Sequence, residues 1–323
     1  MKIIQSLSDC CDNSKGSVLT IGNFDGVHLG HQEILSFARK KAVQRAAKLI
    51  VMTFEPHPVA ILHPEKAPGV LTPLEVKQNV LEKCGVDCLV VLRDSVELLR
   101  LSPEDFVKNV IAEHVQPSMV VEGDDFNFGA ARSGNNTTLQ KLGVEYGFKT
   151  HIMSSKTIKL PTGQIVRVSS TMIRYMLESG HVSDAHAALG RPYRLIEKIV
   201  HGRGVGTKLG FPTLNMKIPS QVIPAEGVYA GFVYLGDTSD TTLNSDKRYP
   251  AVYSIGQART YGDEFPLLIE AHLFDENVPD IAGKYMAMDF IHHIRNQHKF
   301  RAPEELSAQI KKDCVTAKEI LCH

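Results

Sequence analysis

Apolar residues in the first half of the chain come in two alternating rhythms. Short, almost unbroken runs, VLTIG (18–22), LIVMTF (49–54), CLVVL (88–92), MVVEG (119–123) and KTHIM (149–153), read as β-strands. Between them lie longer stretches, 31–48, 75–84, PEDFVKNVIAEH (103–114) and TTLQKLGVEYG (137–147), whose apolar residues recur at helical spacing. This βαβα order predicts a parallel sheet with helices on both faces, an α/β doubly wound domain whose ligands sit at the strand C-termini.

The rhythm changes near residue 186. RLIEKIVHG, GVYAGFVYL, YPAVYSI, LLIEAHLF and KYMAMDFIHHI are alternating β-like runs separated by turn-rich segments such as LGDTSDTTLNSDKR, with no helical stretch between them. That half predicts an antiparallel barrel or sandwich. At the junction, SSTMIRYMLESGHVSDAHAALG (169–190) predicts a helix capped by Ser169 and stopped at Gly180, then a short helix ending at Gly190. The tail APEELSAQIKKDCVTAKEIL predicts one more amphipathic helix. Two domains follow, 1–185 and 186–323.

Composition narrows the function classes. The 323 residues are 43% hydrophobic, enough for two cores, and Lys+Arg equals Asp+Glu at 36 each. Zero net charge gives no electrostatic reason to expect nucleic acid or a membrane surface as partner, so an anionic ligand must be bound locally. Cys10, Cys11, Cys84, Cys88, Cys314 and Cys322 form no CxxC pair and no zinc-ligand spacing, so reduced thiols are expected. The N-terminus turns polar after four residues and no apolar run approaches the ~20 residues of a membrane span, which makes the cytoplasm the expected location.

Three stretches carry candidate chemistry. In IGNFDGVHLGHQEIL, Gly22 and Gly26 permit a tight turn off the first strand, and Gly30 lets a ligand approach the backbone of the following helix. His28 and His31, three apart at a helix start, suit a phosphate; a zinc pair or solvated histidines are the alternatives. HGRGVGTKLGFPTLN (201–215) lacks the Gly-Lys-Ser/Thr of a Walker loop and the helix that a dinucleotide fingerprint needs, which leaves a flexible loop or an unfamiliar phosphate loop. Thr213 and Asn215, two apart on an extended chain, face one side and suit a Mg²⁺-bound phosphate, or form an exposed polar face. Glu270, inside the apolar run LLIEAHLF with His272 on the same face, is a general base if desolvated and a solvent-face acid otherwise. Arg174, one turn past Ser170 and Thr171, can reach a phosphate or join a surface ion pair.

Taken in order, IGNFDGVHLGHQ, TFEPHP, VDCLVVL, GDDFNFG with RSG, SSTMIR, LGRPY, LGFPTLN, GVYAG and IEAHLFD resemble the bifunctional bacterial riboflavin kinase/FMN adenylyltransferases, or FAD synthetases, over nearly the whole chain. The resemblance implies a nucleotidyltransferase-like first domain that moves AMP from ATP onto FMN, and a six-stranded barrel with a C-terminal helix that phosphorylates riboflavin. It implies that His28 and His31 stabilise the α-phosphate and the departing pyrophosphate. Gly22, Phe24, Asp25, Asp125, Ser170, Thr171 and Arg174 would contact the nucleotide, as would Gly204 and Gly206 in the barrel half. Thr213 and Asn215 would hold Mg²⁺ and ATP phosphates, and Glu270 would take the proton of the riboflavin 5'-hydroxyl. The substrates implied are ATP, riboflavin and FMN.

The chain departs from the family pattern chiefly in the barrel half. Ser254 and Arg259 stand where Asn and Pro are usual, IAG (281–283) where LYG is, Glu197 for Gly and Leu214 for Ala; in the first half Ala130 stands for Lys. Two rival readings therefore stay open: a monofunctional FMN adenylyltransferase with a non-catalytic flavin-binding barrel, and a non-catalytic flavin sensor.

Overall fold

The computed structural model describes residues 1–10, 14–93, 96–202, 204–257, 267–275, 283–300 and 302–322. Arg259, Cys11 and the first two residues of the IAG segment lie outside the described residues. Compactness divides the chain into two units: Met1–Pro68, Val76–Ile158 and Val166–Ser169 form one, and Gly69–Glu75, Lys159–Ile165 and Ser170–His323 the other.

The first unit is the expected parallel sheet. Strands β1 (Lys2–Ile4), β2 (Val18–Ile21), β3 (Leu49–Phe54), β4 (Cys88–Leu92), β5 (Met119–Gly123) and β6 (Lys149–Met153) stand in the order β1-β4-β3-β2-β5-β6. Every pairing in it is parallel. Every residue of β2 and β4 is buried, as strands covered on both faces must be. The edge strand β1 escapes the sequence pattern because three residues are too few to show a period. Helices α1 (Leu29–Gln44), α2 (Leu74–Lys83) and α3 (Asn136–Glu145) connect the strands. The stretch from Pro103 is not one α-helix: after a single turn it becomes a π-helix, Phe106–Val115. Its buried residues are Phe106, Val107, Val110, Ile111 and Val115; the rows 106/110/115 and 107/111 are spaced four to five apart, which the wider π turn brings to one face.

The second unit centres on a closed antiparallel barrel. Its strands are β7 (Tyr193–Val200), β8 (Leu214–Met216), β9 (Gly227–Gly236), β10 (Tyr249–Gln257), β11 (Leu267–Leu273) and β12 (Tyr285–Asn296), in the order β7-β8-β11-β10-β9-β12. Closure leaves no free edge. Tyr229, Tyr253 and Phe290 are fully buried, with ring centroids 5.2–5.3 Å from Phe290 to each tyrosine. One segment expected to be turn-rich holds a helix, Ser239–Leu243, because Thr238 and Thr241 form a reciprocal capping box.

Helices α4 (Ser170–Glu178) and α5 (Val182–Leu189) lie at the junction, with the expected boundary at 185/186 falling inside α5; by compactness the residues of both belong to the second unit. Gly180, at φ +79°, ends α4: its N–H donates to Leu177 and that of His181 to Met176, the paired bonds of a left-handed helix terminus. The buried face of α5, Val182, Ala185, Ala188 and Leu189, packs against β12 and β7. Helix α6 (Pro303–Leu321) covers Val228, Ala230 and Val252 with Ala317. It is fastened by a bidentate Arg295–Asp313 pair at 2.7–3.1 Å.

Candidate active sites

In the first unit, the order of strands reverses direction at β2, which has β3 on one side and β5 on the other. The IGNFDGVHLGH stretch leaves the sheet at that point. Its turn is strained, with Phe24 at φ +46° and Val27 at φ +40°, both buried. Such angles cost about 1–3 kcal/mol each and persist only where the surroundings impose them. Several bonds do so here: Gly22 N donates to Met52 O, Val27 N to Phe24 O, Gln32 Nε2 to Val27 O, and Thr53 Oγ1 to Asn23 O.

His28 is the N-cap of α1, its Nδ1 accepting from the His31 N–H at 3.3 Å. A neutral imidazole that accepts at Nδ1 carries its hydrogen on Nε2, so His28 presents a donor from the helix start. The ring of His31 stacks on it at 3.7 Å and meets Phe24 at 5.0 Å. Gly30 serves a purpose that its sequence context does not show. A Cβ there would lie 3.1 Å from the His28 ring, so glycine makes room for the histidine. Asp25 is buried. Among the described residues no group of three or more His, Cys, Asp or Glu has the geometry to hold a metal.

Asp125, beyond β5, is exposed and pairs with Arg167 at 2.9 Å. Its neighbour Asp124 is held below the usual carboxylate range, chiefly by hydrogen bonds from the Ser155 hydroxyl and N–H, with Arg167 adding to the effect. Arg167 escaped the sequence reading because a single Arg ending a three-residue strand carries no pattern. Glu122 escaped it too: an acid ending an apolar strand reads as a boundary, yet it is 2% exposed and accepts from the Ile21 N–H at 2.7 Å.

In the second unit, the barrel brings the three expected kinase residues together. Asn215 on β8 stands opposite Glu270 on β11 in register, and the Thr213 hydroxyl donates to Glu270 at 3.4 Å. Asn215 is buried and Glu270 half-buried, on the face opposite Ile269 and Ala271. A Cβ on Gly202 would fall 2.2 Å from the Asn215 amide, and one on Gly206 would fall 2.4 Å from the Phe211 carbonyl. The loop therefore lies tight on the strand that carries Thr213 and Asn215, and Gly204 turns within it at φ +70°. The Nδ1–H of His272 donates to the Pro212 carbonyl, 2.8 Å away, which fixes the chain entering β8.

The departures have local explanations. Ser254 stands opposite Glu270 across β10 and β11, and its hydroxyl accepts from Gln297 Nε2 at 2.9 Å. Gln297 also reaches the Ile255 carbonyl, so the connection from β12 to α6 is pinned beside the Glu270 strand. Glu197 turns its carboxylate back onto the Lys198 N–H, and Leu214 pairs with Ala271. Ser170, Thr171 and Arg174 lie on α4, where Arg174 Nε donates to the Gly69 carbonyl at 2.6 Å.

The family model for FAD synthetase matches residues 10–172, and that for riboflavin kinase matches 189–321. The chain belongs to the bifunctional riboflavin kinase/FMN adenylyltransferase family. The Escherichia coli K12 member is 36% identical over 321 residues, covering 99% of this chain and 97% of its own. That of Haemophilus influenzae is 35% identical over 320 residues, covering 98% of each. A solved Streptococcus pneumoniae structure, titled a macrolide-efflux protein, shares the fold with a TM-score of 0.83 at 26% identity, over 98% of this chain and 99% of that one. That title belongs to that protein; among the described residues here, no helix is long and apolar enough to cross a membrane.

Proposed function

We propose that both reactions of the family run on this chain through the residues just described. The chain carries riboflavin kinase and FMN adenylyltransferase activities, forming FMN from riboflavin and then FAD from FMN. In the second reaction the FMN phosphate is itself the nucleophile: it attacks the α-phosphorus of ATP and pyrophosphate leaves. The protein needs no Ser or Cys nucleophile, only positioning and charge stabilisation. We assign that stabilisation to His28 and His31, supported by the stacked pair at the N-terminus of α1, where the Nε2–H of His28 and the helix dipole favour developing negative charge. Gly22, Phe24 and Asp25 shape the turn beneath, and Asp125 with Arg167 is assigned to the flavin-phosphate end. Ser170, Thr171 and Arg174 are assigned to the triphosphate on the family pattern of their block.

In the barrel, the riboflavin 5'-hydroxyl attacks the γ-phosphorus of ATP and ADP leaves. Glu270, held by Thr213 and beside Asn215, takes the hydroxyl proton. The Thr213 hydroxyl and the Asn215 carbonyl are hard oxygen donors of the kind Mg²⁺ accepts alongside phosphates, and the loop glycines crowd Asn215 into one place. Bound there, Mg²⁺ would supply charge neutralisation to the transferred phosphoryl group. Gly204 and Gly206 bring the loop backbone to the ATP phosphates. We place these reactions in the cytoplasm, with small molecules as the only substrates.

The test is one incubation with riboflavin, ATP and Mg²⁺, followed by chromatography. FMN should appear first and FAD after it. A His28→Ala/His31→Ala double variant should stop at FMN, and Glu270→Gln should make FAD only from supplied FMN. FAD synthesis that survives the double variant, or riboflavin phosphorylation that survives Glu270→Gln, overturns the corresponding assignment.

A further inference from the structure

Strands β2 and β5 pair over Val18 with Met119 and Leu19 with Val120, and the pairing then stops. Their separation opens the crevice from which the Gly22–Val27 turn emerges. It also strips the Ile21 N–H of the ladder partner that a continuing β5 would offer. Ile21 is 4% exposed, and a buried amide without a partner costs about 1–3 kcal/mol. Glu122 supplies the partner: its Oε1 accepts from Ile21 at 2.7 Å, while the next amide, Gly22, is held from the other side by Met52 of β3.

We propose that Glu122 is a positioning residue for FMN adenylylation: its side chain stands in for the missing ladder bond, lets the strands part, and fixes the root of the turn that carries His28. From Ile21 the connection is short. Gly22 is tied to β3, the strained residues Phe24 and Val27 are tied to each other and to α1 through Gln32, and His28 caps α1 directly. An acid does this work in its neutral form, with one oxygen accepting and the hydrogen on the other. Burial pushes Glu122 well above the usual carboxylate range and nearby Asp125 acts in the same direction, while the Ile21 N–H pulls the other way. Asp124 and Asp125 are themselves held by Ser155 and Arg167. A charge on Glu122 at this buried position would be poorly compensated, so native adenylylation is expected to decline on the alkaline side.

The inference rests on reading His28 and His31 as the phosphate-handling pair, and His28→Ala on the same assay tests that reading separately. The full chain is compared with Glu122→Gln and Glu122→Leu. Gln keeps an accepting oxygen and an N–H where the acid holds its hydrogen, so adenylylation should stay within about threefold of native near pH 7 and lose the alkaline decline of the native enzyme. Leu keeps the volume and removes the acceptor, so kcat should fall by about 10- to 100-fold, the size expected when a catalytic group is displaced by a fraction of an ångström to one ångström. Riboflavin phosphorylation by the same preparations should be unchanged and reports folding. Should Glu122→Leu not fold, the Gln variant's pH profile still decides. Native adenylylation in Glu122→Leu, equal damage in both variants, or an alkaline decline retained by Glu122→Gln would each overturn the proposal, whereas loss of activity in His28→Ala alone would leave the phosphate reading standing without it.

Discussion

The ring of His28 lies 3.7 Å from that of His31 and within 13° of parallel, and the same His28 ring caps the helix on which His31 sits. The side chain holds the helix start, and on the function proposed above it also presents Nε2 to a phosphate, two duties that substitutions can separate.

Asn is a good N-cap without an imidazole, so substitutions at His28 divide the duties. His28→Asn and His28→Ala should both lower FAD formation by about a hundredfold, the worth of one positioned donor to developing charge. Only His28→Ala should also lose stability, by about 1 kcal/mol. A native adenylylation rate in His28→Asn, with stability lost only in His28→Ala, would assign the cap alone to His28.

Glu270→Gln preserves the shape of the residue and its Thr213 contact but cannot take a proton. Riboflavin phosphorylation should fall by roughly 10²- to 10⁴-fold, the usual worth of general-base catalysis, with adenylylation of supplied FMN unchanged. Both rates measured on one preparation separate a lost base from misfolding, which would depress the two together.

Gly202→Ala places a methyl group 2.2 Å from the Asn215 amide and must displace one or the other. A shift of about an ångström at a phosphate-holding group costs up to 10²-fold in rate. The kinase KM for ATP and its kcat should both worsen, and adenylylation should be untouched; a normal kinase rate would remove Asn215 from the ATP site.

A fragment beginning at Ser170 should outlast one beginning at residue 186, because the shorter one discards α4 and most of α5 and exposes barrel surface that Val182 and Ala185 cover. Urea midpoints of the two fragments, each assayed for riboflavin phosphorylation, give the comparison. Equal midpoints would mean that α5 adds nothing to the barrel.

His186 and His293 are both held below the ordinary histidine value, His186 by burial and His293 by burial with His292 and His181 adding to it. The folded state therefore binds fewer protons there than the unfolded chain does. Their stabilising contribution is present above about pH 6.5 and is lost as the pH falls through the lower folded values. Hydrogen exchange of β12 amides at pH 7.5 and 5.5 should show protection weakening on acidification, and the His186→Gln/His293→Gln variant should flatten that dependence.

Much of this was legible in the residues. The four inner runs from VLTIG to MVVEG are strands because apolar residues at nearly every position suit a sheet covered twice, while Thr213, Asn215 and Glu270, grouped by the family resemblance, are brought together by the β8–β11 pairing. What was not legible depends on long-range partners. Gly30 is explained by a ring folded back from two residues away, the unit to which α5 belongs by surfaces on β7 and β12, and Glu122 by an amide 101 residues earlier that lacks a strand partner. None of these leaves a local period or motif.

The second unit includes Gly69–Glu75, a loop made early in synthesis, whose Val70 carbonyl accepts from Val222 and whose Leu71 carbonyl accepts from Gln221, 150 residues later. At about 5–20 residues per second a ribosome needs on the order of 10–30 s to supply that partner. Strands β1 to β6 have all emerged by then, so the parallel sheet can close while this loop still waits in solvent. Maturation of the nascent chain ends when a late-made segment captures an early one.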